Sequence, residues 1–364
     1  MANKVKNVLF RTKIKGNGVV NFDSSDQRFM FNGTELHNMK TRHENTNYAK
    51  KKFSKEDDKL TYKLSISSDC LRHDLFKEDA LVQSPNIINN EHVLYSFIAS
   101  PSSLLRGYLF ADTNETLKRK GALTITDATQ TCNAVSYIET FSKSGKKLDF
   151  EDKVDGKSDN TFFKKEVVGD IEYSAIGNID LMGLQFVSCD KVFDRFNFNP
   201  DLFNTYKSFL KSKMPTFNGE LAYYQIVGST IEIPEYGVLL DNDNVIILVK
   251  ELFKRLLSLN IQRRNSFARV AELEYKLVYD PIEDTIDSDD GWISLKTNKD
   301  IADINFEIQQ FYALEDLELA QAKRESIEAD YQKRKNSNAE KKAAEKAAKT
   351  KAKADKITKA DDNE

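Results

Sequence analysis

Apolar and β-branched residues alternate with polar ones from Val5 to Phe22, through Val8, Phe10, Thr12 and Ile14. This period of two predicts a strand, and Gly16-Asn17-Gly18 predicts a bend or bulge near its end. The same alternation returns over Leu60–Ile66, Ala122–Ala128, Leu221–Ile233 and Val270–Tyr279. Two further runs, Ile171–Ile176 and Leu181–Val187, flank Gly177-Asn178-Ile179-Asp180 and read as a hairpin. Pro234–Gly237 reads as a turn. A period near 3.6 replaces the alternation over Val245–Leu259, where Val245, Leu248, Val249, Leu252, Phe253, Leu256 and Leu257 share one helical face. Helices are also expected over Asp69–Ala80, capped by Ser68 or Asp69, and over Pro200–Lys213. The apolar run His92–Ala99 leads into Ser100-Pro101-Ser102-Ser103, where Ser100 can cap and Pro101 fits the first helical position.

Two stretches break the periodicity. Residues 23–59 are polar and poor in aliphatics, which predicts a long insertion, and residues 142–160 predict a second excursion. From about residue 314 the chain is charged and alanine-rich with no continuous apolar face, so a solvated helical or disordered extension is expected there. The order strand, helix, strands, helix, strand predicts an α+β chain built on a split β-α-β sheet with large insertions.

The chain has 364 residues, 40% of them hydrophobic, and a formal net charge of −3. It is long enough to bury a sizeable core. The balance is uneven: residues 1–150 hold 23 Lys and Arg against 17 Asp and Glu, so a basic surface can sit inside a near-neutral protein. Cys70, Cys132 and Cys189 are odd in number and widely spaced, which argues against a disulfide framework or a zinc site and for a reducing compartment. No secretory leader pattern or bilayer-length apolar run is present, so a cytoplasmic location with no membrane contact is expected.

The histidines stand at 37, 43, 73 and 92, with no His-x-x-x-His pair, Cys-x-x-Cys, phosphate loop or nucleophile elbow. The expectation is a protein that is not an enzyme and uses no metal or cofactor. The helix opening at Ser100–Ser103 offers N–H groups to a phosphate, with Arg106 one turn on; the plainer reading is a capped amphipathic helix with one exposed arginine. Arg72-His73 and Lys118-Arg119-Lys120 are either anion contacts or surface charge. Tyr223, Tyr224, Phe196 and Phe198 are either stacking platforms for bases or core.

Six segments occur in order: Cys70–Phe76, Ile98–Tyr108, Gly169–Tyr173, Leu184–Ser188, Asp190–Arg195 and Tyr236–Asn242. As an ordered set they resemble the backbone subunit of CRISPR Cascade complexes, the Cas-seven family, nearest to the minimal variant of subtype I-F. The resemblance runs from about residue 5 to about 280. It implies a modified RNA-recognition-motif (ferredoxin-like) palm within residues 1–313, with finger or web insertions at 23–59 and 111–165. It also implies a protruding thumb hairpin within about 197–238, followed by a separate extension at 314–364.

The implied function is binding of CRISPR RNA by a subunit that stacks head to tail on copies of itself. Target DNA is reached through guide pairing, and other Cascade subunits complete the assembly. Ser102, Ser103, Arg106 and Gly107 match the family's backbone-contacting helix opening, and Arg72 and His73 match a second basic position. Lys118, Arg119 and Lys120 are added as RNA contacts. Two rivals stand beside this: a type III-like RNA endonuclease using Asp23 or Asp26, and a single-strand RNA binder that does not polymerise.

Overall fold

A computed structural model describes residues 4–23, 28–31, 34–37, 46–56, 59–77, 90–111, 116–134, 136–143, 161–191, 195–229, 233–263 and 265–336. Outside them lie Asp26, residues 78–80 of the expected first helix, residues 144–160 of the second excursion, residues 192–194 of one quoted motif, and the tail beyond 336.

The alternation at the start becomes β1 (Asn7–Asn17), whose Val8, Phe10, Thr12 and Ile14 point inward. After the first insertion come β2 (Lys59–Ile66) and α1 (Ser68–Leu75). Ser67 caps α1, one residue before the expected cap, by accepting from the Cys70 N–H. Then follow α2 (Glu91–Ile98), α3 (Pro101–Arg106), the hairpin β3 (Tyr108–Ala111) and β4 (Thr116–Arg119), and short strands β5 (Leu123–Ile125) and β6 (Ala128–Gln130).

The expected hairpin at 171–187 is instead one long strand, β7 (Asp170–Asp180), followed by α4 (Leu181–Gln185) and β8 (Phe186–Ser188). Gly177 is not a turn residue. It lies under the Phe10 ring, and a Cβ there would stand 2.0 Å from the ring's Cζ. Glycine is present because the aromatic needs its space. Asp180 ends the strand by capping α4, accepting from the Gly183 N–H at 3.0 Å.

Next come α5 (Phe203–Lys213), β9 (Ala222–Ile226), β10 (Glu235–Leu239), α6 (Asn242–Leu257), β11 (Asn260–Arg263) and β12 (Ser266–Val278). The expected turn at Pro234–Gly237 is thus largely strand: Gly237 pairs with both Ala222 and Ser188, and the chain reverses before it. The chain continues through β13 (Ile293–Leu295), α7 (Asn298–Ala302), β14 (Tyr312–Leu314) and α8 (317–336).

β1 lies at the centre of a nine-stranded curled sheet, antiparallel to β7 on one side and β12 on the other. The order runs β11–β12–β1–β7–β6–β2 and then Lys51–Glu56, with β5 also on β7 and β13 also on β12. Helix α6 lies on the inner face: Val245, Leu248, Val249, Leu252, Phe253 and Leu256 are fully buried, and Phe253 meets Phe10 edge-on at 6.3 Å. Each such side chain contributes about 1.5–3 kcal/mol by leaving water.

Residues 23–59 are not structureless: they contain Arg28–Phe31 paired with Thr34–His37, and Thr46–Ala49 and Lys51–Glu56. Thr46–Ala49 joins a second sheet with the hairpin Ser136–Lys143 and Thr161–Val168. Buried Glu166 holds this corner by pairing with Lys51 at 2.9 Å and accepting from the Ala49 N–H at 3.0 Å.

A third sheet, β8–β10–β9–β14, carries the C-terminal part. The extension expected from about 314 is helical and mostly exposed through residue 336, but its first turns dock on the body. Ala320 is fully buried, and Arg324 clasps both oxygens of Asp190 at 2.8 and 3.0 Å while lying over the Tyr223 ring. Lys323 adds bonds to Gln225 at 3.3 Å and Glu315 at 2.9 Å, so α8 docks mainly through polar contacts and no hydrophobic stripe announces it. Among the described residues, no helix is long and apolar enough to cross a membrane.

Candidate functional site

The expected basic residues gather where α1, the end of α3 and the β3–β4 hairpin meet. Within α3 the Ser100 Oγ accepts from the Ser103 N–H at 3.2 Å, and the Leu104 N–H bonds to the Ser100 carbonyl at 3.0 Å. The six-residue helix therefore satisfies its own opening. Ser102 and Ser103 are buried, so they stand behind the surface on which they were expected.

Arg106 ends the helix half-exposed, and Gly107 takes φ +79° to turn the chain into β3. Close backbone approach is needed there: a Cβ on Gly107 would lie 2.5 Å from both the Arg119 carbonyl oxygen and the Gly121 nitrogen. The two chain segments cross almost in contact. Arg72 Nη2 donates to the Arg106 carbonyl at 2.9 Å and fixes α1 to this crossing, while its buried Nε has no hydrogen-bond partner. His73 and Lys120 are exposed, and Lys118 is half-buried. Arg106, His73 and Lys120 make no ion pair among the described residues.

Arg119 differs from its neighbours. It is 6% exposed, and its guanidinium donates to the carbonyls of Leu104 at 3.3 Å, Phe186 at 3.1 Å and Gly183 at 2.9 Å. Asn197, with its amide turned to satisfy both sides, accepts from Arg119 at 2.9 Å and donates to the Lys118 carbonyl at 2.9 Å. The expected surface contact is therefore an internal tie between α3, α4 and β8. The cause is strand parity: Leu117 and Arg119 share the inward face of β4, whereas Lys118 lies on the opposite face.

Tyr108 supports the same knot, donating to the Asn197 carbonyl at 2.6 Å; burial pushes its phenol well above the usual tyrosine range. Sequence reading missed Tyr108, Gly121 and Asn197. The signal available for the glycines was the placement of Gly107 and Gly121 just outside the two ends of one hairpin.

The aromatic candidates divide. Phe196, Phe198 and Tyr224 are buried, and Phe198 stacks on Tyr206 at 4.4 Å, so they are core. Tyr223 packs on Tyr236 and under Arg324. Within 197–238, α5 and its flanks belong to the main core through Phe203, Tyr206, Leu210, Met214 and Phe217. The β9–β10 hairpin belongs to the third sheet. Asp23 lies in the short strand Phe22–Asp23. No group of His, Cys, Asp or Glu that could hold a metal occurs among the described residues, and the three cysteines are free thiols.

Residues 4–283 match the family described as type I-Fv CRISPR-associated protein Cas7fv-like. Among solved structures, a chain titled "CRISPR RNA-guided surveillance complex" is similar, at 11% identity over 74% of this chain and 68% of that one, with TM-score 0.33. Another, titled "CRISPR RNA-guided surveillance complex, pre-nicking", is similar at 10% identity over 74% of this chain and 75% of that one, with TM-score 0.35. A search of curated proteins gave no match.

Proposed function

The chain belongs to the Cas7fv-like family of type I-Fv CRISPR-associated proteins and is a backbone subunit of an RNA-guided surveillance complex, and on that premise we propose that it holds the guide by its phosphates at the α1–α3–β4 junction. The ordered family match over residues 4–283 carries this reading. The geometry supports it through Arg72, Arg106 and Lys120, which the Arg72–Arg106 bond and the Gly107–Gly121 crossing bring to one junction, with His73 and Lys118 on the adjoining elements; Arg106, His73 and Lys120 make no ion pair among the described residues. Ser102, Ser103, Gly107 and Arg119 serve as the frame that sets those cations in place. A guide must keep its base edges free to pair, so contacts to phosphate rather than to bases suit the task.

The palm reading is supported by the strand order β12–β1–β7–β5 and by α6 packed on one sheet face. The hairpin Ser136–Lys143 with Thr161–Val168 is the proposed finger, and the β9–β10 turn is the proposed thumb wedge. In this role the subunit positions RNA and cuts nothing.

The test is assembly on RNA. The purified protein is mixed with guides of increasing spacer length, and its mass rises in equal steps as copies add head to tail. One mass at every length would overturn the scaffold reading. Periodic metal-dependent cuts in guide-matched RNA that vanish on Asp23→Ala would install the endonuclease rival.

Arg106→Ala is expected to weaken binding of short RNAs equally across sequences. It also lowers the slope of log affinity against log salt by about 0.7, the loss of one single-strand phosphate contact. Titration at several salt concentrations with oligouridine and oligoadenosine checks this.

A further inference from the structure

The outer end of the central sheet carries a groove of about 480 Å³ that borders α1, where Arg263 donates to Asp74 at 3.0 Å and Lys77 to the Asn260 carbonyl at 3.3 Å. Its floor is set by register. Asn17, Phe267 and Gln262 stand opposite one another on β1, β12 and β11, and Lys15, Arg269 and Asn260 form the next row. Residues two apart on a strand share a face, so both rows face the same side. Phe267 is 45% exposed and makes no ring contact among the described residues. Arg269 is exposed and makes no ion pair among them.

The groove lining contains no carboxylate. Two acids beside it are paired with cations, Glu172 with Lys15 at 3.8 Å and Asp74 with Arg263 at 3.0 Å, and Asp170 accepts from the Asn17 amide at 3.1 Å. With Arg263 and Arg269 in its lining, the groove suits an anionic occupant. The rest of the rim is amide and hydroxyl, with no second large apolar residue to complete a protein-docking patch. One open aromatic face, a cation two residues away and a ring of amides match a base, its phosphate and its polar edge.

We propose that this sheet end is a second contact for single-stranded nucleic acid, in which Phe267 stacks one base and Arg269 takes the adjacent phosphate. The inference rests on the chain being a nucleic-acid binder. It adds a stacking contact to a protein otherwise read as holding only phosphates.

The test uses the full-length protein and oligonucleotides of about eight nucleotides, short enough to engage few copies. RNA and DNA of the same sequence, each carrying one 2-aminopurine, are titrated by anisotropy and by quenching of that base. With Phe267→Ala, affinity falls about tenfold and quenching is lost, whereas Phe267→Tyr retains both. Arg269→Ala weakens binding and flattens its salt dependence. A loss with RNA alone assigns the guide, and a loss with DNA alone assigns a DNA strand.

Phe267 is exposed, so melting of the variant without ligand should match wild type. If Phe267→Ala binds and quenches like wild type while Arg106→Ala is weakened, this inference fails and the guide-binding reading stands. If wild type binds neither oligonucleotide, both fail.

Discussion

Arg119→Met destabilises the protein before any RNA is added, by about 3 kcal/mol or more. Replacing the guanidinium leaves the carbonyls of Leu104, Gly183 and Phe186 without the donor they share. An acceptor stranded in a buried site costs about 1–3 kcal/mol, and three lie around one side chain. Methionine fills the stem's volume, so the loss isolates hydrogen bonding from packing. Arg119→Lys is a poor rescue, because one ammonium cannot span carbonyls that the planar fork reaches from separate nitrogens. Thermal unfolding of RNA-free protein checks the prediction, with a fall of roughly 4 °C or more. An unchanged melting temperature combined with weakened RNA binding would return Arg119 to the surface role expected of a Lys-Arg-Lys triplet.

Gly107→Ala is the second large effect. A Cβ on a residue at φ +79° costs roughly 1–2 kcal/mol by itself. Here it would also meet two backbone atoms at 2.5 Å, so the α3–β3 and β4–β5 crossing must separate. Gly228 supplies the control: its φ is +73°, but a Cβ there would meet nothing within 4 Å. Gly228→Ala should therefore cost only the conformational part, while Gly107→Ala costs at least about 2 kcal/mol more. It should also weaken RNA binding, since Arg106 and Lys120 are aligned by that crossing. Equal melting shifts for the two variants would show that the crossing relaxes freely.

Where one face is buried against one partner, the fold was legible. The stripe of α6 and the alternation of β1 and β12 follow directly from burial on a single side. The helix expected over Pro200–Lys213 is present as a turn of 3-10 helix at Pro200–Leu202 that leads into α5. Failures arose where one residue type serves two physical ends. Gly177 looks like a turn glycine but makes room for Phe10, 167 residues earlier. Arg119 sits in a basic triplet, yet β4 parity places it beside Leu117 rather than beside Lys118. Helix α8 docks through Ala320 and Arg324, which no hydrophobic pattern distinguishes from a solvated face. At the candidate site the cations were legible as a cluster in sequence. The frame of Tyr108, Gly121 and Asn197 was not, because it forms only when segments about 90 residues apart meet, as in the Tyr108–Asn197 bond.

The central place of β1 has a consequence for synthesis. Its first neighbour, β7, emerges more than 150 residues later, and its other, β12, later still; Arg11 and Glu274, which pair across that seam, are 263 residues apart in sequence. At roughly 5–20 residues per second, the ribosome takes about 13 to 50 s to deliver the second edge partner. Throughout that interval the strand destined for the middle of the sheet is made but incompletely paired. Subunits therefore become competent to assemble only after β12 has been made, and the nascent chain is the stage most exposed to mispairing with its own siblings.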